Sequence, residues 1–156
     1  MMKAKWLLAL PAAVLTCGIV LVACGGGSGG DSHEAHAHNG EKWELKASYA
    51  ELPAFLGNFT DRTKHLYSIV GDYEAIMKTV HCYCGCMEYE DDAHDSLYRC
   101  YVASKSGEGV TWTDHSALCG MCTDELADIE KWSKEGKSAD EINQLIEEHY
   151  NPNYNA

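Results

Sequence analysis

Two short cysteine runs and one lone cysteine carry most of the chemistry available to this chain. Cys82, Cys84 and Cys86 fall in His81-Cys82-Tyr83-Cys84-Gly85-Cys86, Cys119 and Cys122 in Cys119-Gly120-Met121-Cys122, and Cys100 stands between them. His81, His94 and His115 lie close by in sequence. Thiolate and neutral imidazole are ligands of soft and borderline metal ions. On an extended strand, residues two apart on one face are separated by about 6.6 Å. Zinc–sulfur bonds of about 2.3 Å put the sulfurs of one ion under ~4 Å from one another. A straight strand therefore cannot offer one ion three thiolates. Either Gly85, with its backbone freedom, folds the segment into a loop, or the three sulfurs serve two adjacent ions. Cys119 and Cys122, three apart at a helix start, point to one side. Helix N-terminal amides there favour the thiolate form.

Three chemistries remain open at this level. In the first, Cys82, Cys84, Cys86, Cys100, Cys119 and Cys122, with His94 and His115, build a thiolate-rich metal site. Soft sulfur favours Cu(I), with zinc next, for metal capture, buffering or delivery, or for electron transfer at a thiolate-bridged pair. His81, Met87 and Met121 are further candidate ligands, although packing is the ordinary role of a methionine. In the second, Cys119 and Cys122 form a redox dithiol, which leaves the triple-cysteine run unexplained. In the third, six cysteines pair as three structural disulfides in one of 15 ways. Cys-x-Cys neighbours close poorly as bridges, so the triple run would need distant partners. No Ser-His-Asp or Cys-His-Asn triad is indicated. His115 and Cys119 are four apart, which suits a nucleophile and its base or a ligand pair equally, and no substrate turnover is expected.

Helical elements are needed to position these groups. Leu66, Ile69 and Val70 have helical spacing behind the candidate cap Asp61. After Asp72, the stripe Tyr73, Ile76, Met77 and Val80 delivers the chain to His81. Ala117 to Trp132 reads as one helix with Leu118, Cys122, Leu126 and Ile129 on one face, closed by Gly136. Ser138 and Glu141 form a capping box for a last helix with the inner face Ile142, Leu145, Ile146 and His149, and Pro152 beyond it. Leu97 to Val102 and Val110 to Trp112 read as short strands turned by Ser106 to Gly109. The expected fold is mostly α, a small helical domain around a cysteine-rich loop with room for one short β-hairpin. Its size is one that a metal or cross-link would help. His65 and His149 read as surface or satisfied core residues. Glu88, Glu90, Asp91 and Asp92 read as a solvated acidic run. Tyr83, Tyr89, Tyr98, Tyr101 and Trp112 crowd the cysteines and would exclude water or simply pack.

The rest of the chain reads as an address and a tether. Lys3 and Lys5 precede an apolar stretch from Trp6 to Ala23, the pattern of a secretion signal. Leu21-Val22-Ala23-Cys24 resembles a bacterial lipobox, which implies cleavage after residue 23 and a diacylglyceryl thioether (a palmitate-type lipid) on Cys24. The alternative, a short transmembrane anchor, is disfavoured by the Gly-Ser tract that follows at once. Residues 24–42 are then a flexible Gly/Ser/His tether with His33, His36 and His38. Residues 43–156 form the folded domain. With 24 acidic against 12 basic residues in 156, and a formal charge of −12, nucleic acid is not an expected partner. The expected location is the extracytoplasmic side of a bacterial membrane, with the lipid as anchor and a metal or electron donor or acceptor protein as partner.

The run His81-Cys82-Tyr83-Cys84-Gly85-Cys86 resembles the signature of the PCYCGC-motif lipoproteins, with His81 where that family has Pro. The similarity extends to Leu52-Pro53-Ala54-Phe55-Leu56, to His94 and Cys100, and to Trp112, His115, Cys119 and Cys122, and it runs on to Gly136-Lys137-Ser138. The resemblance implies an exported lipoprotein with a proposed metal-binding role. A shorter stretch, from Glu135 to Tyr150, is similar to the helical tail of thiol proteins in cytochrome c maturation, which implies the redox alternative.

Overall fold

The computed structural model describes residues 40–85 and 95–154. The expected signal segment, Cys24 and most of the expected tether lie outside the described residues. So do Cys86, Met87, Tyr89, His94 and the acidic run. Five α-helices and one three-stranded antiparallel sheet make up the described part, a mostly α domain with a small hairpin as expected.

The sheet comprises β1 (Trp43–Lys46), β2 (Val102–Ser106) and β3 (Gly109–Thr113), in the order β1-β3-β2. Trp43 stands opposite Thr113 and Lys46 opposite Val110 on one side of β3. On the other side Val102 faces Trp112 and Ser106 faces Gly109, with a register shift between Val102 and Ser104. Gly109 has φ +137°, and a Cβ there would strike the Lys46 carbonyl, so only glycine lets β1 lie against the hairpin at this point. The hairpin is the expected one, but its first strand starts later than the sequence suggested. Leu97–Cys100 form a 3₁₀ turn, because Leu97, Tyr98 and Cys100 are all buried, a pattern that alternation on a strand would not allow. Strand β1 was not anticipated, since its four residues are too few to establish a period.

Helix α1 (Asp61–Ser68) is capped by Thr60, whose hydroxyl accepts the Thr63 N–H, so Asp61 is a first-turn residue and not the cap. Helix α2 (Val70–Met77) follows after a break at Ile69, with Asp72 inside its first turn. The single helix expected over Ala117–Trp132 is instead two, α3 (His115–Leu118) and α4 (Gly120–Lys134). Between them Cys119 is extended, with φ −115° and ψ 113°. The break falls next to Gly120, the poorest helix former in the stretch, and leaves Leu118 70% exposed. Cys122, Leu126 and Ile129 are fully buried on α4, as their spacing predicts. Gly136 ends α4 with φ +84°, and the Lys137 N–H reaches back to the Trp132 carbonyl. Helix α5 (Ala139–Tyr150) carries the expected capping box at Ser138 and Glu141 and buries Ile142 and Ile146. His149 is exposed against the Tyr150 ring.

Tyr67, Tyr101 and Trp112 form a buried ring cluster, with Tyr67 centroids 4.9 Å from Tyr101 and 5.6 Å from Trp112. Their polar ends are satisfied: the Tyr67 hydroxyl donates to the Thr113 carbonyl, and Trp112 Nε1 donates to the Glu51 carbonyl. This joins the sheet to α1 and α4 and gives the cysteines a rigid frame. No helix among the described residues is long and apolar enough to cross a membrane.

Candidate metal centre

Chain order delivers the cysteines from three separate stretches. Helix α2 ends at Met77, and the Val80 carbonyl accepts the Leu97 N–H at 2.9 Å, which pins both flanks of the first cysteine segment. The chain then turns at Tyr83 to Gly85, with Gly85 at φ +85°, the fold of the segment that extended geometry would have prevented. Cys100 closes the 3₁₀ turn, and its carbonyl accepts the Ser116 hydroxyl at 2.6 Å. Cys122 lies in the first turn of α4, where its carbonyl accepts the Tyr101 hydroxyl at 3.1 Å.

The outcome is a compact group of Cys82, Cys84, Cys100 and Cys122, their sulfurs all within 4.8 Å of one another. Cys82 and Cys122 approach to 3.5 Å. Four thiolates around one tetrahedral ion at zinc–sulfur bond lengths need sulfurs ~3.8 Å apart, so little motion separates this arrangement from a ligand set. Cys82, Cys100 and Cys122 are fully buried, whereas Cys84 is half-buried. No disulfide joins Cys82, Cys84, Cys100, Cys119 and Cys122 to one another. Sulfurs gathered at one point differ from the separate bridges of a disulfide framework.

Cys119 lies outside the group of four but interacts with Cys84 and Cys122. His115 interacts with Cys84, and its Nδ1 is 2.6 Å from Glu41 Oε1. Glu41 is held in turn by the Thr113 hydroxyl at 2.8 Å and by Trp43 Nε1 at 3.3 Å. A carboxylate behind one imidazole nitrogen sets the tautomer and aims the other nitrogen, the arrangement common behind metal-bound histidines.

The thiols differ in acidity. Cys84 is lowered below the usual thiol range by hydrogen bonding with the surrounding Cys100, Cys119, Cys122 and Cys82. Cys82 and Cys122 are pushed up, in both cases first by Cys100. His115 is raised to about 10, first by Cys84 and then by Glu41. Burial works to raise Glu41, but hydrogen bonds from His115, Thr113 and Trp43 outweigh it and bring it to about 2. Glu125 is fully buried against Cys82, and its Oε1 accepts the Tyr83 N–H at 2.7 Å. Desolvation raises its carboxyl to about 7.

Of the candidates read from sequence, Cys82, Cys84, Cys100, Cys119, Cys122 and His115 come together. Cys86, His94 and Met87 lie outside the described residues. His81 is exposed, its ring edge-on to Tyr83 at 4.7 Å, and Met121 is 37% exposed on α4. His65 pairs with Glu130 at the surface. Glu41 and Glu125 went unnoticed in the sequence. Glu125 left one sign: it shares the face of Cys122, Leu126 and Ile129, where a carboxylate has no bland purpose. Glu41 left none, since it is 74 residues from His115.

Fold and site together define a small α-rich domain organised around a buried thiol cluster. The chain belongs to the family described as protein of unknown function with PCYCGC motif, whose model matches residues 13–156, with His81 standing where the motif has Pro. No curated protein and no solved structure matches the chain, and the similarity of the last helix to cytochrome c maturation proteins finds no support in these comparisons.

Proposed function

We propose that this protein is a membrane-tethered lipoprotein domain that binds a soft metal ion through Cys82, Cys84, Cys100 and Cys122 and hands it to or receives it from a partner protein. The observation that carries the reading is the convergence of four sulfurs within 4.8 Å from three separate stretches of chain. Folding has already assembled these donors, so binding need not order them. An all-sulfur set in an aromatic, water-poor surrounding favours Cu(I), with zinc the second choice. The bound ion would supply charge to neutralise thiolates that their neighbouring thiols and burial otherwise keep protonated. The chain's own contribution is to hold the sulfurs, to present the half-buried Cys84 for first capture, and to exclude water with Tyr101 and Trp112. A lipid on Cys24 would place the site on the extracytoplasmic face of a bacterial membrane.

The test is elemental analysis with thiol titration on the full chain, purified anaerobically without added metal. Copper or zinc at one or more ions per chain, with thiols reactive only after chelation, is the expected result and names the ion. Absence of metal with blocked sulfurs would mean structural disulfides. Absence of metal with one easily reduced pair would make this a redox protein.

A further inference from the structure

The thiol cluster has more donors than one ion can use, and they are sorted by depth. Cys82, Cys100 and Cys122 are fully buried. Cys84, Cys119 and His115 are half-buried and lie on the outer side, Cys84 interacting with both of the others. Cys84 also belongs to the compact group of four, so it reaches both sets. A thiolate sulfur has lone pairs enough to bridge two ions, and Cu(I) accepts two to four soft ligands. His115 is built as a ligand: Glu41 sits 2.6 Å behind its Nδ1 and is itself held by Thr113 and Trp43. A surface ion pair would not need that second rank of hydrogen bonds.

We propose that the centre holds two Cu(I) ions, an inner one enclosed by Cys82, Cys100 and Cys122, and an outer, exchangeable one on Cys119 and His115, with Cys84 bridging them. This rests on the metal-binding reading above and adds that only the outer ion is cargo. The inner ion is buried and completes the core. The outer ion is the one a chelating partner, itself a thiol or thioether protein, can reach. Transfer is ligand exchange: the bonds from the outer Cu(I) to Cys119, His115 and Cys84 are replaced in turn by bonds to the partner, while Cys84 keeps its bond to the inner ion. Copper keeps its oxidation state, and Cys119 and His115 take up protons from solvent as they leave.

The test is anaerobic Cu(I) titration of the reduced full chain, read by native mass spectrometry and by competition with bathocuproine disulfonate. The expected result is two ions per chain, with one withdrawn at chelator concentrations at least tenfold lower than the other. His115→Ala and Cys119→Ser should each lose the weaker ion and keep the tighter one. The retained ion then reports that the fold has survived. Cys100→Ser should weaken the tighter ion. A single ion in the parent chain, or His115→Ala and Cys119→Ser retaining both ions with unchanged competition, would overturn the two-ion centre while leaving metal binding intact. No bound copper at all would overturn the two-ion centre, and a chain that takes up neither copper nor zinc would overturn both readings.

Discussion

The carboxylate of Glu125 accepts the backbone N–H of Tyr83 at 2.7 Å, which ties the first buried turn of α4 to the loop between Cys82 and Cys84. Glu125 lies one turn beyond Cys122, so a single hydrogen bond fixes the relative position of sulfurs that are 40 residues apart in sequence. The carboxylate bears the cost of burial in order to do this, and its acidity is shifted to about 7.

Glu125→Gln keeps the acceptor and should leave metal affinity within about threefold of the parent. Glu125→Ala removes the acceptor of the part-buried Tyr83 N–H, a loss of roughly 1 kcal/mol. Loss of such supporting groups lowers metal affinity by about 10–100-fold. Chelator competition beside thermal unfolding checks both. Equal affinities for Ala and Gln would show that the loop positions itself.

Cys122→Ser replaces a fully buried sulfur that has a neighbouring sulfur at 3.5 Å. Oxygen is a hard, short-reaching donor, so Cu(I) affinity should fall by at least tenfold. Met121, one residue away and 37% exposed, serves as the control. Met121→Ala should change affinity less than about twofold on the same competition assay, since its thioether is not needed where thiolates suffice. A large effect at Met121 would bring its sulfur into the site.

What was legible in the sequence was local. The Ser138–Glu141 box, the Gly136 stop and the stripe Cys122, Leu126 and Ile129 each follow from residues within one or two helical turns, and all appear as read. The break at Cys119 did not, because helical periodicity runs through it unbroken. What interrupts the helix is tertiary, the place of Cys119 beside Cys84 and Cys122. Likewise, spacing identified the thiol groups but could not say which sulfurs meet. Cys100 had no neighbour in sequence to suggest its partners, and it reaches them only because the 3₁₀ turn at Leu97 is anchored to Val80.

Gly109→Ala tests the sheet. The new Cβ would meet the Lys46 carbonyl and would sit on a residue with φ +137°. Either β1 moves away or the hairpin turn reshapes, at a cost of at least ~2 kcal/mol. For a domain of this size that lowers the melting temperature by about 8 °C or more. Gly107→Ala is the control, because nothing lies within 4 Å of its added Cβ. Similar melting temperatures for the two variants would mean that β1 is not held against Gly109.

The Glu41–His115 pair makes the stability of the metal-free protein depend on pH in a specified direction. Glu41 has a folded value of about 2 against an ordinary 4.5, so its contribution is complete above pH 4.5 and is lost as pH falls towards 2. His115 is raised from 6.5 to about 10, so its contribution is complete below pH 6.5 and is lost as pH rises through 10. Part of the His115 shift belongs to Cys84, its first cause, and survives removal of Glu41. Glu41→Gln should therefore destabilise the metal-free protein by ~2 kcal/mol at pH 6, and the difference from the parent should shrink between pH 4.5 and 2. Glu74 is also lowered to about 2, by Lys105 and Lys78, but it titrates in both proteins and cancels in the difference. Urea unfolding of both chains at pH 6, 4 and 3 measures this. A gap that stays constant across these pH values would mean that the glutamate is held by packing, with no contribution from its charge beside His115.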